Sequence, residues 1–376
     1  MQYRPFGRLG WQVSALGFGL MRLPVLGGDH SRINEEEALR LIRTAIDHGV
    51  NYLDSAHIYH HGNADALLGK VLRDGYRERV RVATKLTTWE VQTADDLERH
   101  LEMQLEKIRF GPIDCYLFHS LDRGRWEKMK ALKAVQWAER ARADGRIRHL
   151  GFSFHDRLDA LRQILDEYDG WEFCQLQYNY LDVRYQAGTE GLRLAAERGL
   201  AVVVMEPLRG GCLADPPPAV REVFARAPVQ RTPAEWALRW VWNHPEVSVV
   251  LSGMNTLEQV LENVASADRS GPGVMSAAEL ALVDAARAAT AGLGWIPCTG
   301  CGYCLPCPRN IPIPDYCNLY NTAAFGQVER ARRAYAWRKP EVHADVCEQC
   351  GQCAERCPQH LPIPELLPKI HARLKP

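Results

Sequence analysis

VRVATKLTTWEVQTADDLERHLEMQLEKIRFGPIDCYLFH, residues 80–119, reads as strand, helix and strand. Val80–Lys85 and Ile113–His119 are short runs rich in β-branched and aromatic residues. Between them Leu97, Leu101, Leu105 and Ile108 recur at helical spacing behind Thr93, a residue type that caps helix N-termini. Strands joined through a helix run parallel. Both strands close on a residue that a core does not need, Lys85 and His119.

The same unit recurs on either side. Val13–Phe18, Asn51–Asp54, Ile147–Ser153, Phe173–Asn179, Ala201–Pro207 and Val247–Gly253 are strand-like runs with helical stretches between them. Asn34 with Glu37 opens one of these helices and Gly49 stops it; Thr232-Pro233-Ala234-Glu235 opens another before Trp236. Eight such units over about 290 residues predict an α/β fold of the (β/α)8 TIM-barrel type rather than an open doubly wound sheet. Polar residues close successive strands: Asp54, Lys85, His119, Ser153 and Gln177. One polar residue beside a strand is usually a cap or a solvated loop residue, but in a barrel these five strand ends converge on the one mouth where active sites lie. Gly17-Phe18-Gly19 and Gly210-Gly211 offer a competing dinucleotide-fingerprint reading. Neither completes G-x-G-x-x-G, and glycine pairs commonly mark turns.

Composition narrows the classes. Of 376 residues, 46% are hydrophobic and 24% charged, values that exclude disordered and collagen-like chains. Lys+Arg and Asp+Glu number 46 each, so there is no basic excess to follow a phosphate backbone and nucleic acid is not an expected partner. The first twenty residues lack a signal-peptide apolar stretch, and no apolar run approaches the ~20 residues that cross a bilayer. The expectation is a cytoplasmic chain with no membrane association, in a reducing compartment where clustered Cys-x-x-Cys patterns are metal ligands rather than disulfides. The chain has 12 cysteines, and nine of them lie from Cys298 onward.

From Phe6 to Asn263 the sequence resembles the aldo-keto reductases. The resemblance rests on Asp54 and Tyr59 in NYLDSAHIY, Lys85 in ATK and His119 in YLFHSLD. It implies a barrel that binds NADP or NAD and reduces a small-molecule carbonyl, or oxidises the alcohol, by hydride transfer. Physical chemistry supplies a part for each residue. Charge grows on the carbonyl oxygen as hydride arrives, so a proton donor and hydrogen-bonding groups are needed there. Tyr59 would be the donor; a free phenol titrates near ~10, and a neighbouring ammonium, Lys85, favours its phenolate. Asp54 would hold Lys85 in place and offset the cost of burying it. His119 would orient the substrate oxygen. The competing structural reading is a salt bridge, a core tyrosine and a satisfied histidine with no activity.

The resemblance also assigns nucleotide contacts. Ser153 and Gln177 match positions that hold the nicotinamide carboxamide, although the usual Ser-Asn pair reads Ser153-Phe154. Met205 stands where a tyrosine often stacks on the ring, followed by Pro207 and Leu208. Ser252, Gly253, Gln259 and Asn263 match the adenosine-phosphate segment. Gln259 replaces a frequent arginine, which leaves the choice between NADPH and NADH open. Thr256 with Gln259 is equally a plain helix cap. The loops Arg22–Asn34, Ser120–Arg125 and Arg209–Pro218 are the expected seat of substrate specificity.

The tail carries two copies of one pattern: Cys298-x2-Cys301-x2-Cys304-x2-Cys307-Pro308 and Cys347-x2-Cys350-x2-Cys353-x3-Cys357-Pro358. Three closely spaced thiolates followed by a Cys-Pro are the ligand pattern of cubane clusters, and in bacterial two-cluster ferredoxins the fourth cysteine serves the other cluster. That swap gives cluster one Cys298, Cys301, Cys304 and Cys357, and cluster two Cys347, Cys350, Cys353 and Cys307. A single cluster or zinc is the rival reading, but zinc sites usually show separated Cys-x-x-Cys pairs. Cys317 could substitute for Cys307, whose x2 spacing is unusual, but its helical position suits packing. Cys115, Cys174 and Cys212 are also expected to pack. The stretch PDYCNLYNTAAFGQVERARRAYAWR reads as helix, so the tail resembles the α-helical two-cluster 4Fe-4S ferredoxin domains. IPIP at 311–314 and LPIPELL at 361–367 echo each other, as a duplication would.

The expected organisation is a barrel over 1–294 followed by a small, mainly α-helical iron–sulfur domain over 295–376. Hydride transfer moves two electrons together and a cubane moves one, and no flavin motif is present to couple them. Three readings follow: a nicotinamide-dependent oxidoreductase whose two [4Fe–4S] clusters brace the tail or serve a partner; an enzyme fed electrons by a ferredoxin or other redox protein; and a non-catalytic electron-transfer module.

Overall fold

The computed structural model describes residues 1–375. Eight parallel strands close into a barrel: β1 (Leu16–Gly19), β2 (Tyr52–Asp54), β3 (Arg81–Leu86), β4 (Ile113–Leu121), β5 (Ile147–Phe154), β6 (Phe173–Gln177), β7 (Ala201–Met205) and β8 (Val247–Ser252). Neighbours in sequence are neighbours in the sheet, and β8 closes on β1 through Val250–Leu16 and Ser252–Phe18. The α/β barrel expected from the alternation is therefore the fold, and its strands match the expected runs to within a residue or two, β3, β4 and β5 running one or two residues past the expected ends.

One run differs. Val13–Phe18 is two elements: Gln12–Ser14 pairs antiparallel with Tyr3–Pro5, and the barrel strand starts only at Leu16. Ser14 Oγ donates to Leu16 O at 2.7 Å, which turns the chain between them. The hairpin closes the N-terminal end of the barrel. Phe6, fully buried, stacks on Trp11 at 4.4 Å and meets Tyr52 and Phe173, each at 5.7 Å between ring centroids. Cys115 lies in the same core and Cys174 is also fully buried on its strand, so both pack as expected.

The helices form where their caps were read. Asn34 accepts from Glu37 N at the start of α1 (Glu35–Asp47), and Thr93 with Asp96 makes a reciprocal capping box at α3 (Ala94–Ile108). Between them α2 (Ala64–Val71) packs so closely on the end of α3 that a Cβ at Gly69 would lie 2.7 Å from Ile108 O.

The chain forms two compact units. One is Met1–Pro207 with Ala234–Ser276, and the other is Leu208–Pro233 with the chain from Ala277 onward. The second unit contains α8 (Pro218–Ala225) and α11 (Ala277–Thr290), which pack on each other, and the cysteine-rich tail. The stretch read as continuous helix is a pair, α12 (Ile313–Ala324) and α13 (Val328–Ala336), broken at Gly326 with φ +91°. A final helix, α15, covers Ile363–Leu374. Ile311, Tyr316, Tyr335, Leu367 and Ile370 form its core together with Cys304, Cys353 and Cys357. Among the described residues no helix is long and apolar enough to cross a membrane.

Candidate active site and cluster ligands

Asp54 ends β2 and Lys85 sits near the end of β3, so adjacent parallel strands bring the two side chains to the same end of the barrel. Lys85 Nζ donates to Asp54 Oδ1 at 2.6 Å, to Ser55 O at 2.7 Å and to Tyr59 Oη at 3.2 Å. Three acceptors saturate the ammonium. Tyr59 follows β2 on a short helical turn, and its phenol oxygen accepts from Lys85, so the O–H is what it has to give. Burial pushes the Asp54 carboxyl above the usual carboxylate range and the Lys85 ammonium below its own, each opposed by the charge of the other. Gln175, on β6, donates to Asp54 Oδ2 at 3.3 Å.

A second buried carboxylate braces this arrangement. Asp65, on α2, is fully buried and accepts from Ser55 Oγ at 2.6 Å and Thr84 Oγ1 at 3.1 Å. Gln104 Nε2, on α3, donates to Thr84 Oγ1 and to Lys85 O, both at 3.0 Å, and Gln104 Oε1 accepts from Tyr116 Oη at 2.9 Å. Ser55 thus presents its carbonyl to Lys85 and its hydroxyl to Asp65. The sequence reading missed Asp65 and Gln175. Both left a signal: Asp65 interrupts an apolar helix, and Gln175 lies two residues before Gln177, which strand periodicity puts on the same face.

His119 reaches the mouth through a bulge. The β4–β5 register shifts between Phe118 and Leu121, and Ser120 takes φ +57°. Ser153 Oγ accepts from Ser120 N at 2.7 Å and Thr88 Oγ1 donates to His119 O at 2.7 Å, fixing the distorted segment. The His119 ring stands edge-on to Tyr59 at 6.2 Å and lies 5.0 Å from Trp89. Burial first, and then the charge of Lys85, holds its imidazole well below the ordinary histidine range, so at neutral pH it is an uncharged N–H donor.

The nucleotide candidates divide. Ser153, Gln177, Met205 and Ser252 all lie at the C-terminal ends of their strands, with Gln177 opposite Met205 in the β6–β7 register. Gln177 Nε2 is held by Asp182 Oδ2 at 2.8 Å. Asn263, on α10 (Leu257–Asp268), donates to Ser252 Oγ at 3.1 Å, and Gly253 lies where a Cβ would meet the Arg22 stem at 3.1 Å. Gln259 instead turns back on its own helix: Asn255 N donates to its Oε1 at 2.9 Å and Gln259 N donates to Thr256 Oγ1 at 3.2 Å. Pro207 ends the first segment of the barrel unit, and Leu208 lies in the second unit.

In the second unit the cysteines gather in two sets. After burial, the neighbours that raise the Cys304 thiol are Cys301, Cys298 and Cys357. For Cys353, whose thiol is pushed up to about 11, they are Cys347 and Cys307. Cys307, Cys347, Cys350 and Cys353 line one concavity with Leu367, and Cys304 of the other set borders it too. Sulfur donors crowded without a cation repel one another on ionisation, whereas four thiolates around a concavity suit a cubane cluster.

A closed parallel barrel with a buried Asp–Lys–Tyr network at its C-terminal mouth, joined to a tail of paired cysteine motifs, defines a redox enzyme. Residues 15–285 match the aldo/keto reductase family, and residues 297–362 match a 4Fe-4S dicluster domain. The chain belongs to the aldo/keto reductase family and is an NAD(P)H-dependent oxidoreductase carrying a 4Fe-4S dicluster domain at its C-terminal end. It is 29% identical over 283 residues to a 6-dehydroglucose reductase of Novosphingobium aromaticivorans, covering 69% of this chain and 88% of the relative. Among solved structures it is similar to the holo form of aldo-keto reductase AKR11C1 from Bacillus halodurans, with TM-score 0.64, 25% identity, 76% of this chain and 96% of that one covered. It is also similar to an aldo-keto reductase from Klebsiella pneumoniae in complex with NADPH, with TM-score 0.57, 25% identity, and 73% and 90% covered.

Proposed function

We propose that the barrel reduces a small-molecule carbonyl, or oxidises the corresponding alcohol, with Tyr59 as proton donor, and that the tail holds two [4Fe–4S] clusters. The observation that carries this reading is Lys85 Nζ, held by Asp54 and Ser55 with 3.2 Å left to the phenol oxygen of Tyr59. A bound nicotinamide nucleotide supplies or accepts the hydride. Negative charge left on Tyr59 as its proton departs is met by Lys85, and Asp54 prevents that ammonium from swinging away. The neutral His119 donates its N–H to the substrate oxygen and orients it. Ser153, Gln177, Met205, Pro207, Ser252, Gly253 and Asn263 would line the nucleotide. With Gln259 in a helix cap and no arginine in its place, the chain selects weakly for a 2′-phosphate and accepts NADPH and NADH alike.

The cluster assignment is the swapped one, supported by Cys357 beside Cys304 and by Cys307 beside Cys353. The domain boundary that fits the motifs lies near residue 295. Cys350 is exposed, which offers a route for a ferredoxin or another redox protein to exchange electrons with the tail.

The test is transfer of label from 4-deuterated NADPH or NADH to a product alcohol, beginning with aldehyde sugars because a relative is a 6-dehydroglucose reductase. Tyr59→Phe should lower turnover by about 10²–10⁴-fold, the ordinary worth of a general acid, while nucleotide binding persists. Full turnover in that variant removes Tyr59 from the chemistry.

A further inference from the structure

The final helix and the segment that leads into the second cysteine motif meet at a group of nitrogen and oxygen donors that no cluster uses. His343 and Asp345 flank Ala344 at a helical turn just ahead of Cys347, and His371 lies in the last turn of α15. One donor atom from each of the three lies within 4.8 Å of the other two, and among the described residues this is the one such group of histidine, cysteine and acidic side chains. His371 Nδ1 is 3.3 Å from Asp345 Oδ1. That is about the 3.3–3.4 Å edge of a tetrahedron drawn with the 2.0–2.1 Å bonds of zinc to nitrogen and oxygen. No local pattern links residue 371 to 343 and 345, so the sequence reading had no sign of the group.

Both rings are oriented, and each has a lone pair to offer. His343 Nε2 lies 3.0 Å from Arg338 O. A carbonyl only accepts, so Nε2 carries the hydrogen and the lone pair is left on Nδ1. Metal-ligating histidines are held in this way, the second ring nitrogen donating to a carbonyl or carboxylate. Tyr335, fully buried on α13, stacks on the His343 ring at 4.5 Å and brings its hydroxyl to 2.9 Å from His371 Nδ1. The same hydroxyl oxygen accepts from Ala344 N at 2.8 Å. Its own hydrogen then has His371 Nδ1 as acceptor, which assigns the second lone pair to the nitrogen beside Asp345. One buried tyrosine thus fixes an imidazole by its face, another by its edge, and the backbone between His343 and Asp345.

We propose that His343, Asp345 and His371 bind one divalent cation of the zinc type, through two imidazole nitrogens and one carboxylate oxygen, with water completing four-coordination. A lone pair on His371 Nδ1 facing a carboxylate is a repulsive contact that a cation between them turns into an attractive one. The donor set selects the metal. Magnesium and calcium take oxygen donors throughout, whereas imidazole with carboxylate suits zinc and its first-row neighbours. The side chains of His371 and Asp345 are 25% and 53% exposed, so an ion can enter from solvent and keep a water. Bound there, it joins α15 to the stretch that enters the second motif two residues ahead of Cys347. Leu367 of α15 lines the concavity of that motif, so the ion braces the wall of a cluster site without touching a thiolate. The group shares no residue with the cluster ligands or the barrel mouth, and the proposal stands apart from both of those readings.

The experiment is zinc binding to the full-length chain, purified anaerobically with its iron and cleared of loose metal by a weak chelator, with iron counted before and after. After equilibrium dialysis against zinc chloride, about one zinc per chain should be retained at undiminished iron. Zinc K-edge X-ray absorption of that sample should show nitrogen and oxygen at about 2.0–2.2 Å with imidazole scattering, and no sulfur at about 2.3 Å. His343→Gln and His371→Gln should each weaken binding by more than about tenfold, since losing even an outer-shell partner costs about 10–100-fold. Asp345→Asn, at an exposed position, should weaken it as well and covers the case in which a histidine variant misfolds. A sulfur shell, or iron released as zinc enters, would put the ion among the cysteines and overturn the proposal. So would a wild-type chain that retains no zinc, or zinc held equally tightly by all three variants.

Discussion

Lys85 shows how a residue's cost and its use are the same fact. An ammonium 1% exposed is expensive, and the Asp54 carboxylate, the Ser55 carbonyl and the nearby Asp65 charge are what keep it charged there. Lys85→Met fits the space but leaves Asp54 buried opposite a thioether. Losing one partner of a buried pair costs about 3–5 kcal/mol, so the variant should unfold at markedly lower urea concentration. Asp54→Leu added to Lys85→Met removes the stranded charge, and the double variant should recover stability without recovering turnover. Equal stability of the single variant and the wild type, measured by urea unfolding, would mean that the pair is not charged. The contrast matters because a purely structural salt bridge predicts that activity returns together with stability.

At the level of elements, the site depends on helices that do not touch substrate. Asp65 reaches Ser55 and Thr84 only because α2 lies tight on the end of α3, and Gly69 permits that approach: a Cβ there would meet Ile108 O at 2.7 Å and Lys107 O at 2.8 Å. Backbone atoms cannot step aside as a side chain does. Gly69→Ala should cost about 1–3 kcal/mol by overpacking and, by tilting α2, lower kcat more than it changes nucleotide affinity. A variant with wild-type kcat and wild-type stability would show that α2 has slack. This arrangement also explains what could be read in advance. Asp54, Lys85 and His119 were legible because strand ends in a barrel have one destination, and the tail because thiol spacing mirrors cluster geometry. Asp65 was hidden since its value comes from the packing of two helices, a long-range fact with no local pattern. The split of Val13–Phe18 was hidden for a different reason: Ser14 turns the chain with a single hydroxyl, and Ala15 sits between two strands of like composition. Gly326 was in plain view, but one glycine in a helical pattern is ordinarily tolerated.

Across the whole molecule, acidity should act on the barrel through histidines buried in it. His57, His60, His100, His119 and His244 all have their imidazoles lowered, chiefly by burial. The folded barrel keeps them neutral below pH ~6.5, whereas the unfolded chain protonates them, so the unfolded state binds more protons. Their contribution is present above about pH 6.5 and is lost as pH falls, by at most about 1.4 kcal/mol per pH unit for each imidazole held neutral. Asp54, Asp65 and Glu90 pull the other way. Burial raises all three carboxyls, so what they contribute is lost as pH rises through their folded values, in a window that begins at the ordinary carboxylate range. Five imidazoles against three carboxylates leave a net loss of stability as pH falls below about 6.5. Trp126, Trp171, Trp236 and Trp242 are fully buried in the barrel unit and report its unfolding by fluorescence. Clusters must be watched separately by their visible absorbance, because acid also protonates thiolate ligands. The urea midpoint of the tryptophan signal should fall on acidification, and His119→Asn should flatten that fall by one imidazole's share. A midpoint that holds steady or rises from pH 6.5 to 5 would show that these rings take up protons in the folded barrel, and would remove the neutral His119 on which the orientation of the substrate oxygen depends.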